Sequence, residues 1–270
     1  MKKCFMSFAL LICVLFSGEI SFARIQSLSD IHALAASHED FHYPDYYQIK
    51  EDPRVAVVDL MNFAHVNSAF PYPTVAYNRK AQFGTWINYP GDQACLNTRN
   101  KVLLRESKST VTYTPDGCAV QTGQWDDPYT GTEFTSTRDI QIDHFVPLKN
   151  AYMTGAFEWD QPKRCLYANY MGNAFHLLAV NGTQNMIKGD NSPAAYVPPN
   201  KNYSCQYLKQ WLQVKVIWGL RLTPAEIAGI QKEFDADGCD RAEFRMTAAD
   251  LTVQRQFMED NKDLCQRPQK

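Results

Sequence analysis

No two of the eight cysteines stand at C-x-x-C spacing, so a zinc site built on paired thiolates has no support. There is no excess of positive charge either: 27 Lys and Arg face 29 Asp and Glu, for a net charge of −2. Bulk charge therefore supplies no attraction for nucleic acid, and any phosphate-binding surface has to be local. Internal repeats and low-complexity tracts are absent, which excludes a solenoid or a linker-like chain. The longest apolar stretch, Phe5 to Phe16, is followed by Gly18-Glu19 and is too short to span a bilayer comfortably.

That stretch has another use. Lys2 and Lys3 precede it, and Ser21-Phe22-Ala23 follows it with small residues at the two cleavage positions. The pattern reads as a leader peptide over residues 1–23, removed after Ala23, with the protein secreted or periplasmic and no membrane association afterwards. Cys13 follows Leu11-Ile12 and lacks the small residue that a lipid-anchored cysteine would need. Cys95, Cys118, Cys165, Cys205, Cys239 and Cys265 remain, enough for three disulfides in an exported chain. Proximity in sequence favours the pairs 95–118, 165–205 and 239–265.

The 270 residues, 45% hydrophobic, suit one large domain or one domain with an appended layer. Residues 24–76 are rich in Tyr, Phe, Pro and Asn and read as a helical and irregular extension, with short helices around His32–Ala35 and over Val55–Ala64. Arg99 to Arg105 reads as helix or strand, Thr110 to Thr114 as a strand, and Pro115-Asp116-Gly117 as a turn. Ile140 and Ile142 alternate with Asp139, Gln141 and Asp143, the mark of a half-buried strand that Pro147 stops. Leu148 to Ala156 reads as helix, His176 to Val180 as an apolar strand, and Thr183 to Lys188 as a short helix after the Asn181-Gly182 turn. Tyr207, Trp211, Val214 and Trp218 form one helical stripe. Thr223-Pro224-Ala225-Glu226 predicts a capped helix start, with Thr as the N-cap and Glu closing a capping box.

Two segments carry residues suited to chemistry. Asp143 and His144 stand side by side at a strand end; one offers a hard oxygen to a divalent cation, the other a base that titrates near neutrality. Asn185 and Lys188 sit three apart on one helix face, an amide oxygen beside a cation able to meet a phosphate. Taken singly, each has an ordinary reading: a surface pair at a turn, a capping amide, a solvated charge. Arg79, Arg99 and Arg138 are candidates for the local positive surface. Asp126 and Asp127 look like a turn that braces the following strand. His32, His38, His42 and His65 show no ligand spacing.

The ordered set Asp143-His144-x-x-Pro147-Leu148, Asn185-x-x-Lys188-Gly189-Asp190, Pro193 and Val197-Pro198-Pro199 resembles the HNH endonuclease superfamily, in particular its secreted bacterial branch. Flanking matches run from Tyr77-Asn78-Arg79 and Phe83-Gly84 through Cys95-x-Asn97-Thr98-Arg99 and Gly123-x-Trp125-x-Asp127-Pro128-Tyr129-Thr130-Gly131. They continue to Cys205, Lys215, Gly219-Leu220 and Pro224-x-Glu226, so the resemblance covers residues 77–230. It implies an α+β fold in which a ββα-metal (His-Me finger) site, core motif 138–190, is embedded in a mainly helical, disulfide-stapled domain. Residues 231–270 would be a helical tail packed on that domain.

The resemblance further implies His144 as general base and Asp143 and Asn185 as ligands of one divalent cation, Mg²⁺ with Mn²⁺ as a substitute. Lys188, Arg138 and Arg99 would be substrate contacts. At His176, nine positions ahead of Asn185, the family carries an asparagine that orients the base. His176 could take over that catalytic role, join the metal shell, or leave it to Asn173. The expected function is hydrolysis of phosphodiester bonds in DNA, or in RNA, with little sequence specificity and no obligate protein partner. A nuclease-like module that binds nucleic acid without cutting it is the alternative that His176 leaves open. A disulfide-built adhesive module is a second, and an effector acting on another cell would use the same site.

Overall fold

The computed structural model describes residues 57–63, 72–88 and 95–266. The leader, the helix around His32–Ala35, and His38, His42 and His65 lie outside the described residues. Within them the chain is α+β, as expected: three small antiparallel sheets set around a helical body.

The first element departs from expectation. Val57–Asp59 is strand β1 rather than helix, and only Leu60–Phe63 turns helical, as α1. Strand β1 pairs antiparallel with a strand nearly two hundred residues on, β7 (Arg245–Thr247). A ladder to so distant a partner leaves no trace in local periodicity. Leu60 and Met61 drop straight into the main core.

Helix α2 (Arg79–Phe83) starts at Asn78, whose side chain accepts from the Ala81 N–H. Helix α3 (Thr98–Glu106) is capped by Asn97 in the same way, accepting from the Asn100 N–H. Strands β2 (Thr112–Tyr113), β3 (Val120–Asp126) and β4 (Glu133–Ser136) make a three-stranded sheet. Strand β5 (Ile140–His144) pairs antiparallel with β6 (Leu177–Asn181), in register from Ile140 opposite Asn181 to His144 opposite Leu177. Ile140, Ile142, Leu177 and Ala179 pack on Val102, Leu103 and Trp125 in a second, smaller core. The alternation read from the sequence is thus the real burial pattern.

Helices α4 (Leu148–Met153) and α5 (Gln161–Ala168) lie between the paired strands in sequence, and α6 (Gly182–Lys188) follows β6 directly. Helix α7 (Ser204–Trp218) forms the axis of the main core. Its predicted stripe of Tyr207, Trp211, Val214 and Trp218 is fully buried, and so are Leu208, Leu212, Val216 and Ile217. Gln206 is exposed and Lys209, Gln210 and Gln213 are half-buried, so polar residues mark the strip where this core helix nears the surface. Gly219, at φ 62°, ends it in the left-handed conformation that glycine adopts without strain.

Helix α8 (Pro224–Ala236) starts with the predicted capping box of Thr223 and Glu226. Glu226 is also buried against Lys215, whose ammonium lies 3.0 Å away. Helix α9 (Ala248–Asp260) closes the chain, with Leu251 and Leu264 in the main core.

The disulfides are Cys95–Cys118, Cys165–Cys265 and Cys205–Cys239. Only the first follows sequence proximity. The other two run between elements that pack in space: Cys165 on α5 meets the segment after α9, and Cys205 at the start of α7 meets the residues after α8. Bridges form where Cα atoms come within about 7 Å, whatever the separation along the chain.

Candidate functional site

The β5–β6 hairpin and α6 form a strand–strand–helix unit with one open cleft of about 290 Å³. Asp143, His144 and Asn185 line it together, with Tyr77 and Arg79 from the start of α2 and Asp190 just after α6. Strand alternation alone would send Asp143 and His144 to opposite faces. They share the cleft because β5 ends at His144 and the chain turns away at Pro147.

His144 is held on two sides. Its Nε2 lies 2.9 Å from the Ala168 carbonyl, at the C-terminus of α5. A carbonyl only accepts, so Nε2 carries the proton and Nδ1 keeps its lone pair. The Trp86 ring stacks flat on the imidazole, 4.9 Å between centroids and 2° between planes. Burial pushes the imidazole down to about 3, so it is neutral across the physiological range.

His176 occupies a parallel position one residue back. Its Nε2 lies 2.8 Å from the Tyr167 carbonyl, and its ring packs among Tyr167, Tyr170 and Trp218. The last carbonyls of a helix have no partner within it, and these two histidines serve two of them on α5. His176 is 1% exposed and does not line the cleft. The orienting contact expected from it is made by a backbone oxygen. Asn173 does not make it either: its Oδ1 accepts from the Phe175 and His176 N–H groups and shapes the loop before β6.

Asp143 is the most tightly surrounded group. Lys188 Nζ lies 2.8 Å from Oδ1 and the Tyr129 hydroxyl 2.5 Å from Oδ2. Burial pushes the carboxyl up, while Lys188 and Tyr129 pull it back down. Tyr129 is brought there by Asp127, the buried turn residue, whose carboxylate accepts from the Tyr129 and Thr130 N–H groups.

Lys188 departs from its expected place. It is 0% exposed, and its ammonium also donates to the His144 carbonyl, 3.2 Å away. A phosphate contact needs an accessible cation; this one is committed inside, because an ammonium in an apolar shell needs acceptors. Gly189, at φ 53°, ends α6 immediately after it.

Asn185 donates from Nδ2 to Gln141 Oε1 at 2.8 Å, which leaves its amide oxygen as the atom able to meet a cation.

The arginines divide. Arg79 is exposed at the cleft and makes no ion pair among the described residues. Arg99 instead donates to the Thr137 and Ile140 carbonyls, tying α3 to the start of β5. Arg138 is exposed just ahead of β5 and does not line the cleft. Met186 and Ile187 stand out from α6 into solvent, 66% and 56% exposed.

The donors on the cleft suit a hard cation. Asp143 and Asn185 present oxygens, and Mg²⁺ takes few protein ligands and keeps several waters. Among the described residues no cluster of three or more His, Cys, Asp or Glu is arranged to hold a metal. Sequence reasoning had no means of finding the Ala168 carbonyl or the Trp86 stack. Tyr129 had a signal, the Trp-x-Asp-Pro-Tyr turn, but no assigned role.

Residues 97–226 match the family model described as GmrSD restriction endonucleases, C-terminal domain. A secreted protein of Arthroderma benhamiae, itself uncharacterised, is 38% identical over 154 residues, which cover 57% of this chain and 72% of that protein. The chain belongs to one family with this secreted protein. No solved structure matches it. The segment 97–226, similar to the GmrSD C-terminal domain, contains the whole strand–strand–helix unit, Tyr129 and Ala168. Arg79 and Trp86 lie outside it. Each of the three disulfides joins a cysteine inside that segment to one outside. No helix among the described residues is long and apolar enough to cross a membrane.

Proposed function

We propose that the protein is a secreted, metal-dependent endonuclease of the HNH type that hydrolyses phosphodiester bonds of DNA with little sequence specificity. RNA carries the same bond and is a secondary substrate. The observation that carries the reading is His144: a neutral imidazole, pinned through Nε2 to the Ala168 carbonyl, with its Nδ1 lone pair available beside two oxygen-bearing side chains in one open cleft. The match of residues 97–226 to a restriction-endonuclease C-terminal domain and the secreted relative support it.

In this mechanism His144 Nδ1 takes a proton from the attacking water, and the Ala168 carbonyl and Trp86 hold the ring at the required angle. Asp143 and Asn185 would hold one divalent cation, Mg²⁺ or Mn²⁺, which when bound neutralises charge on the scissile phosphate and leaving oxygen. Arg79 meets a neighbouring phosphate from the rim. Lys188 and Tyr129 keep the Asp143 carboxylate aimed. With His176 in the core, its departure from the family pattern leaves the base intact.

The test is plasmid cleavage by the oxidised, leaderless protein with Mg²⁺, beside an EDTA control and His144→Ala. The expected result is cutting that disappears in both controls. Cutting that survives His144→Ala, or no cutting of DNA or RNA with Mg²⁺ or Mn²⁺, overturns the reading.

A further inference from the structure

The ion pair between Asp143 and Lys188 is closed off from water, with side-chain accessibilities of 5% and 0%. A buried carboxylate without a partner is costly, so the charge on Asp143 must be balanced whether or not a metal is bound. Lys188 does this from Oδ1, and the Tyr129 hydroxyl covers Oδ2. A carboxylate oxygen has two acceptor directions, so each still has one left. Asp143 lines the open cleft, and a cation arriving there meets one oxygen already engaged by an ammonium and the other by a phenol. Asn185 lies three residues before Lys188 on α6. One short helix therefore delivers both the amide oxygen offered to the cation and the charge that opposes it.

We propose that Lys188 is a resident counter-cation: from 2.8 Å it balances and aims the Asp143 carboxylate, and it weakens divalent-cation binding at the cleft. The inference rests on the reading of Asp143 as a cation ligand. It makes Lys188 a positioning residue with no contact to substrate.

The experiment is Mn²⁺ binding followed by electron paramagnetic resonance, together with thermal unfolding with and without Mn²⁺. It compares the full oxidised protein with Lys188→Met, Asp143→Asn and the double variant Asp143→Asn/Lys188→Met. Removing a unit charge within hydrogen-bond reach of the ligand oxygen should tighten Mn²⁺ binding about tenfold or more in Lys188→Met. The melting temperature of that variant should rise with Mn²⁺ by several times the wild-type increment. If Lys188→Met is unfolded without metal, recovery of the folded form on Mn²⁺ titration counts as the same result.

The double variant carries neither charge, and it should fold without Mn²⁺ and be indifferent to it. Equal or weaker Mn²⁺ binding by Lys188→Met, or failure of Mn²⁺ to stabilise it, overturns the proposal. If wild type cuts DNA with Mn²⁺ while Lys188→Met is no tighter, the counter-cation idea alone fails. If neither wild type nor any variant binds Mn²⁺, the metal reading fails with it.

Discussion

The bridge between Cys165 and Cys265 ties the end of the chain to the helix that holds His144, and opening it should be felt in both stability and the site. The bridge closes a loop of 100 residues, against 23 for Cys95–Cys118 and 34 for Cys205–Cys239. Loop-closure entropy makes the longest worth about 4.7 kcal/mol, the others about 3.4 and about 3.8 kcal/mol. Cys165 stands three residues before Ala168 on α5, whose carbonyl meets His144.

Cys165→Ala/Cys265→Ala should therefore lose about 1 kcal/mol more than either other double variant. It should also lose cleavage in the fraction that stays folded, because α5 carries the carbonyl that holds His144. Urea unfolding at matched protein concentration gives the stability order, and cleavage below the transition gives the activity. If the 95–118 variant is the least stable of the three, the loop argument is wrong. If non-reducing peptide mapping links Cys165 to Cys205, the pairing itself is wrong.

Arg79→Ala should weaken DNA binding and reduce the salt slope of log K by about one, while stability stays within about 0.5 kcal/mol; an unchanged slope would remove Arg79 from the phosphate path. Arg99→Ala should do the opposite. It loses two charge-assisted bonds to the β5 entry, costing on the order of 1.5–3 kcal/mol with the salt slope unaltered. Trp86→Ala should lower kcat roughly tenfold to a hundredfold with KM little changed, because the base loses the plate that fixes its angle. Trp86→Phe should restore most of that rate, and a change confined to KM would contradict the positioning role.

Local patterns in the chain translated directly into local structure. Ile140 and Ile142 alternate and are buried on one face; Thr223, Pro224 and Glu226 spell a capping box and make one; Asp143, His144 and Asn185 were legible as a set and line one cleft. Each depends on residues a few positions apart or on side-chain type, and sequence carries both. The inside of the site was decided elsewhere. Lys188 was expected to meet a phosphate, yet packing of α6 on the β5–β6 pair aims it at Asp143. His176 looked catalytic by position, but α5 ends beneath it and its ring serves a helix carbonyl among aromatics.

The disulfide partners of Cys165 and Cys205 and the β1–β7 ladder join segments 34 to about 190 residues apart. Distances of that kind are set by how the helices pack around α7. The sequence by itself determined which side chains could do the chemistry. The tertiary structure decided which of them are accessible, which are paired inside the core, and which backbone oxygen holds the His144 ring, because burial and long-range pairing follow from the whole core and not from any segment of it.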